Sequence, residues 1–236
     1  LAEKKIKAGV VPGWPKFIVW DPKANRYEGF LADDIRNFEE ATGIKIEFVT
    51  TNWNGIIAGL QSGQYDVIMG GIGATAERAP AVAFSAPYAY FYTSALVRAD
   101  SKAQSFADLD QKDKVLTAVS GTAMHKYALR HVKNAKLTAL TDSSTAVLEV
   151  MQGRADAYIG DSFTNYVRAK DRPTELKMVK FESTKTEWSS MNHAVRYKDV
   201  DVLDLLNTYI NAMRLRNWYA ELTEKHDLPP ETPKGP

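Results

Sequence analysis

The sequence predicts an α/β fold made of two similar lobes, and three observations carry that prediction. Segments of strand and helix character alternate along most of the chain, one stretch of that alternation occurs twice, and a glycine-rich run follows an apolar strand-like segment. The repeat is visible in the residues themselves. Leu60-x2-Gly63-x2-Asp66-x3-Gly70 recurs as Val150-x2-Gly153-x2-Asp156-x3-Gly160, and the same strand-helix-strand-helix-strand order surrounds both copies.

The elements justify themselves in order. Lys5 to Val11 alternates as a strand and turns at Pro12-Gly13, presenting Trp14. Phe17 to Trp20 and Tyr27 to Phe30 flank the turn Asp21 to Asn25 as a hairpin-like excursion. A helix follows over Asp33 to Thr42, stopped by Gly43, then a strand over Lys45 to Val49. The cap-type residues Thr50-Thr51-Asn52 start a helix from Trp53 to Ser62, Gly63 ends it, and Asp66 to Met69 is the next strand. A helix beginning near Thr75 is expected after the glycine run Gly70 to Gly73.

The second lobe repeats this. Lys114 to Val119 is a strand leading into Ser120-Gly121-Thr122 and a helix from Ala123; Lys136 to Leu140 is a strand, and Ala146 to Gln152 a helix after the caps Thr141 to Thr145. A strand then ends at Gly160-Asp161, where Ser162-Phe163-Thr164 opens a helical pattern. From Val202 to His226 the spacing is helical, with Asn217-Trp218 interrupting it, and the proline-rich tail from Pro229 is expected to be loose.

Open parallel sheets bind ligands beyond the carboxyl ends of their strands, which nominates the loops that carry Trp14, Gly71 to Arg78, Gly121-Thr122 and Asp161. Bare backbone amides at the glycines and a forked guanidinium at Arg78 suit a carboxylate. The competing reading of Arg78 is a solvated charge beside Glu77. Asp161 is a helix N-cap, an acceptor for an ammonium group, or both. An anion grip in one lobe and a carboxylate in the other describe a receptor for a zwitterion, an α-amino acid. Trp14 and Trp53 fall on the same edge and either stack on the ligand or pack a lobe surface.

Composition removes other classes. Hydrophobic residues at 44% and charged residues at 25% describe a folded globular chain of 236 residues, and a net charge of +1 without a basic stripe argues against nucleic-acid binding. The absence of cysteine excludes disulfides, thiol nucleophiles and sulfur metal sites. His125, His131, His193 and His226 have no metal-ligand spacing, so neither metal nor cofactor is expected. No apolar run approaches the ~20 residues that cross a bilayer. Beginning at Leu1 without a basic-then-apolar leader, the chain reads as a mature form whose signal peptide has been removed.

Gly71-Ile72-Gly73-Ala74-Thr75-Ala76-Glu77-Arg78-Ala79, continuing to Val82-Ala83-Phe84-Ser85-Ala86-Pro87-Tyr88, resembles the signature of bacterial periplasmic amino-acid-binding proteins, solute-binding family 3. Glu28-Gly29-Phe30 with Asp33, Ser120-Gly121-Thr122 and Gly153-Arg154-Ala155-Asp156-Ala157 leading to Gly160-Asp161-Ser162 support the resemblance. It implies a type II periplasmic-binding-protein fold, two Rossmann-like lobes joined by a two-strand hinge at Tyr92 to Val97 and Glu187 to Ala194. The lobes are expected at 1–93 plus 194–236 and at 94–193. By the same resemblance the ligand-binding residues are Trp14, Trp53, Gly71, Ile72, Gly73, Arg78, Ala118, Thr122 and Asp161. Arg78 and Thr122 would meet the ligand carboxylate, Asp161 its ammonium, and the two tryptophans would sandwich its side chain. The implied partner is a membrane ABC permease, the implied location periplasmic, and the implied state a monomer without catalytic residues.

Three departures qualify the match. Gly73 stands where the family usually has Ser or Thr, which removes a hydroxyl donor. Val11 stands where binders of cationic amino acids often carry an acid, which favours an uncharged ligand side chain. Asn192-His193 replaces residues that are commonly small or aliphatic. Cyclohexadienyl dehydratases resemble the same family and offer the alternative function, on prephenate or arogenate. Their general-acid glutamate lies three residues beyond the position of Asp161, and here that residue is Thr164.

Overall fold

A computed structural model describes residues 5–234 of the chain. The chain divides into two compact units, one comprising Leu1–Tyr90 and Ser190–Pro236, the other Phe91–Ser189. These crossings lie a few residues ahead of the expected ones after residues 93 and 193. Both fall inside continuous strands, where the sequence shows no break.

The first unit opens with β1 (Lys5–Val10), the hairpin β2 (Val19–Asp21) and β3 (Arg26–Glu28), α1 (Phe30–Thr42), β4 (Lys45–Thr50), α2 (Ile56–Gln61), β5 (Val67–Ile72) and the short β6 (Ala83–Phe84). The strand β7 (Ala89–Arg98) carries the chain into the second unit. That unit holds α3 (Phe106–Leu109), β8 (Val115–Val119), α4 (Ala123–His131), β9 (Lys136–Leu140), α5 (Ser143–Met151), β10 (Ala157–Asp161), α6 (Ser162–Asp171) and β11 (Leu176–Lys180). The strand β12 (Trp188–Val195) returns to the first unit, which ends with α7 (Val200–Leu215) and α8 (Trp218–Lys225).

The internal repeat is structural. In the first unit β1 lies between β4 and β5, parallel to both. In the second, β8 lies between β9 and β10, again parallel to both. Each third strand then takes an antiparallel neighbour, β12 on β5 and β7 on β10. The repeated aspartates explain why the motif is kept. Asp66 donates its N–H to the Lys7 carbonyl at 2.8 Å and accepts the Lys7 N–H on Oδ2 at 3.1 Å. Asp156 does the same with Val115, at 2.7 and 2.8 Å, so each carboxylate ties the start of its third strand to the first. Gly63 and Gly153 precede them with φ of 80° and 71°, a left-handed turn that glycine adopts without strain.

Several expected boundaries move. The helix α1 starts at Phe30 rather than Asp33, and Gly43 ends it in the left-handed conformation. The helix α2 starts at Ile56 rather than Trp53, because Asn52 uses its side chain on the Gly55 N–H in a turn ahead of it. No helix forms after Thr75. Arg78 and Ala79 donate their N–H groups to the Thr75 carbonyl, but Pro80 has no N–H and disfavours helical backbone at Ala79, so the segment remains a turn. The strand β5 instead continues through Gly70 and Gly71 to Ile72. At the C-terminal end Asn217, with φ of 58°, separates α7 from α8 where the interruption is expected.

In the first unit the core cluster Ile56, Leu60, Tyr65, Ile68, Ile72, Val82 and Ala194 sits against β5, with Trp53 and Val11 packed on it. The carboxyl end of β5 therefore stands on a solid base.

Candidate functional site

In the first unit the candidate residues gather where β1 and β5 end. Trp14 follows β1 and is buried, its ring centroid 5.2 Å from Phe17 and 5.6 Å from Trp53. Gly71 has φ of 69°, and a side chain there would meet the Phe17 ring at 3.2 Å and Trp14 at 3.7 Å. Glycine is thus required twice over, for its backbone and for the aromatic floor beneath it. Phe17, read from sequence as part of a strand, belongs to this floor; only the neighbouring glycine hints at it. The Ile72 side chain is fully buried in the core, which leaves its backbone for any ligand.

Trp14 and Trp53 do not stand apart as two walls of a slot. A flat group between two rings needs about 7 Å from ring to ring, and these two are in tilted contact at 5.6 Å. They form one aromatic corner that a ligand can stack against.

Arg78 is buried at 7% exposure, and its Nη1 donates to the Gly73 carbonyl at 3.1 Å. Burial lowers its pKa and Glu77 opposes that shift. The reading of Arg78 as a solvated surface charge is therefore wrong. The bond to Gly73 ties its guanidinium back to its own loop.

The second unit presents its candidates at the ends of β8 and β10. Ala118 lies fully buried within β8. Thr122 is the N-cap of α4: its hydroxyl accepts the His125 N–H at 3.1 Å and donates to the Val119 carbonyl at 2.6 Å. Its single proton is thereby committed, so donation to a ligand requires that bond to be given up. Asp161 ends β10 and caps α6, accepting the Thr164 N–H on Oδ1 at 2.7 Å. At 3% exposure, burial raises its pKa above the usual carboxylate range, against the Thr164 amide and Arg168, which act to lower it. The N-cap reading of Asp161 is correct, and a buried carboxylate at a strand end is also chemistry for a cation.

No cluster of three or more potential metal ligands occurs among the described residues, and no helix among them is long and apolar enough to cross a membrane.

Known proteins share both the sequence pattern and the fold. Residues 6–228 match the description of bacterial extracellular solute-binding proteins, family 3. A probable histidine-binding protein from Campylobacter jejuni is 26% identical, covering 94% of this chain and 85% of its own. The crystal structure of the ancestral amino acid-binding protein AncCDT-1, a precursor of cyclohexadienyl dehydratase, has a TM-score of 0.87 and 30% identity, covering 95% of this chain and 96% of its own. A putative binding component of an ABC transporter from Wolinella succinogenes, complexed with lysine, has a TM-score of 0.85 and 30% identity, with 94% and 95% covered. A cyclohexadienyl dehydratase from Pseudomonas aeruginosa is 24% identical over 62% of this chain and 56% of its own. The fold is the type II periplasmic-binding-protein architecture.

Proposed function

The chain belongs to family 3 of the bacterial extracellular solute-binding proteins, and from that premise we propose that it captures a free amino acid for a membrane ABC importer. Arg78 takes the ligand carboxylate and Asp161 its ammonium group. The observation that supports this most is that each unit buries a charge of opposite sign after its third parallel strand, Arg78 in the turn that follows β5 and Asp161 at the end of β10. Opposite charge stabilises a buried ion, and a zwitterion brings the matching sign to each.

Charge-assisted hydrogen bonds contribute about 1.5 to 3 kcal/mol each, so these two groups can carry much of the affinity. A ligand that touches both units favours whichever arrangement of them lets it do so, which is how capture would be signalled to a permease. Val11 beyond β1 and the Trp14–Trp53 corner favour an uncharged, partly apolar side chain. Gly73 offers only its amide where a hydroxyl would add a donor. The protein works outside the cytoplasmic membrane, as a monomer.

Catalysis is not part of this reading. The residue three beyond Asp161 is Thr164, buried at 1% exposure in the first turn of α6, and a threonine hydroxyl is no general acid near neutral pH. Incubation with prephenate or arogenate should yield no aromatic product, and measurable turnover would restore the dehydratase reading. For binding, a thermal-shift screen across the amino acids followed by calorimetry should give at least one ligand, and Arg78→Ala should abolish its binding. Retention of the parent affinity in that variant would refute the assignment.

A further inference from the structure

The dipeptide Asn192-His193 sits where β5 leaves regular pairing. Asn192 is opposite Ile72 and Ala194 is opposite Ile68, so Met69, Gly70 and Gly71 together face His193 alone. Extra residues on one strand of an antiparallel pair make a bulge, which bends the strand and re-aims the residues beyond it. The positive φ of Gly71 belongs to that bend.

The imidazole of His193 is buried and stacks on the Tyr88 ring, centroids 4.7 Å apart at 25°. Neither ring nitrogen has a hydrogen-bond partner among the described residues. Burial pushes its pKa down to about 3, so the ring is neutral. Tyr88 is held in turn by its backbone N–H, which donates to the Met191 carbonyl at 2.9 Å, and by its stack on Phe30. The Tyr88 hydroxyl is buried with no hydrogen-bond partner among the described residues; burial raises its pKa and the Gly71 N–H acts against that shift. Asn192 completes the support, donating to the Ser85 carbonyl and accepting from Ser190 Oγ, both at 2.7 Å.

A buried imidazole with two unpartnered nitrogens costs folding free energy that a leucine of similar size would not. Groups kept at such a cost beside a binding loop mark places where stability and function diverge.

We infer that His193 and Tyr88 are positioning residues for the carboxylate-binding loop: the imidazole braces the phenol, the phenol backs Gly71, and the bulge so fixed aims the segment from Ile72 to Arg78. This rests on the proposed capture of an amino acid. It also reassigns one group. The Gly71 amide belongs to the support, and the ligand carboxylate is received by Arg78 and the Gly73 amide.

The test compares the parent with Tyr88→Phe and His193→Leu. Each is titrated by calorimetry with the amino acid that gives the parent its largest thermal shift, and the glycine amides are followed by NMR. His193→Leu should melt at or above the parent temperature, and both variants should bind about tenfold more weakly and exchange the Gly71 amide faster without ligand. In the parent, ligand should shift the Gly73 amide more than that of Gly71. Unchanged affinity in both variants overturns the inference, as does a ligand shift largest at Gly71. Lower melting temperature with parent affinity would reduce His193 and Tyr88 to packing. If the parent binds no amino acid, the capture reading fails by itself, and unchanged Gly71 exchange in the ligand-free variants would overturn the bracing separately.

Discussion

The two units build the same three parallel strands and leave the third one differently. From β10 the chain passes directly into α6, and Asp161 is both the last strand residue and the helix cap. From β5 it passes through a bulge into a turn that Pro80 keeps from becoming a helix, and Arg78 sits in that turn. The difference follows from charge. A helix N-terminus favours a carboxylate and disfavours a guanidinium, so the acid is placed on a helix while the base is placed on a loop braced by other means. One scaffold thus buries an acid at one exit and a base at the other, the two charges that the proposed capture of an amino acid calls for.

The largest expected effect separates the two exits by charge. Arg78→Ala should weaken amino-acid binding by at least ~100-fold, about 3 kcal/mol by calorimetry, because the ligand carboxylate loses its charged donor. Next comes Asp161→Asn. Asparagine keeps the N-cap, so the melting temperature should change little, while the loss of charge should weaken binding by about 10- to 100-fold. Asp161→Ala should lose both affinity and about 1 kcal/mol of stability. Parent affinity in the Asn variant, with only the Ala variant losing stability, would show that Asp161 acts only as a cap.

A third prediction concerns stability and lies behind the first unit's loop. Asp34 is fully buried, accepting the Tyr209 hydroxyl at 2.8 Å and the Trp218 indole N–H at 2.9 Å. Burial raises its pKa to about 7, against those two hydrogen bonds. The folded state therefore holds the proton more tightly than the unfolded chain does. The contribution is fully present below the unfolded value of about 4 and is lost as pH rises through about 7. Asp34→Asn should flatten that fall and stabilise the protein at pH 8 by roughly 1 to 3 kcal/mol. A melting-temperature profile between pH 4 and 8 with the same slope in parent and variant would contradict it.

The smallest effect is expected at Gly73. Its φ is not in the left-handed region, so the backbone admits a side chain. Gly73→Ser should add one hydroxyl donor to the carboxylate grip and tighten binding by about 3- to 10-fold. Weaker binding would mean that the loop has closed over the space a side chain needs.

Much of this arrangement is legible in the residues. Gly63-x2-Asp66 and its copy Gly153-x2-Asp156 announce the repeat because backbone chemistry requires them: a left-handed turn, then a carboxylate that holds two strands together. The caps at Thr122 and Asp161 are readable for the same local reason. The features that escape a sequence reading depend on residues distant in the chain. The bulge at Met69 to Gly71 exists only because β12 pairs there, and the contact of Trp14 with Trp53 depends on where β1 and α2 come together. The helix expected from Thr75 does not form because Pro80 overrides the favourable residues of its first turn.

The most direct test of the two-charge account is a calorimetric titration with three forms of the amino acid that binds best: the free zwitterion, its carboxamide and its deaminated acid. The account predicts that each single-charge analogue binds at least ~100-fold more weakly than the zwitterion. If the carboxamide binds as tightly as the free amino acid, Arg78 does not hold the carboxylate and the account is wrong.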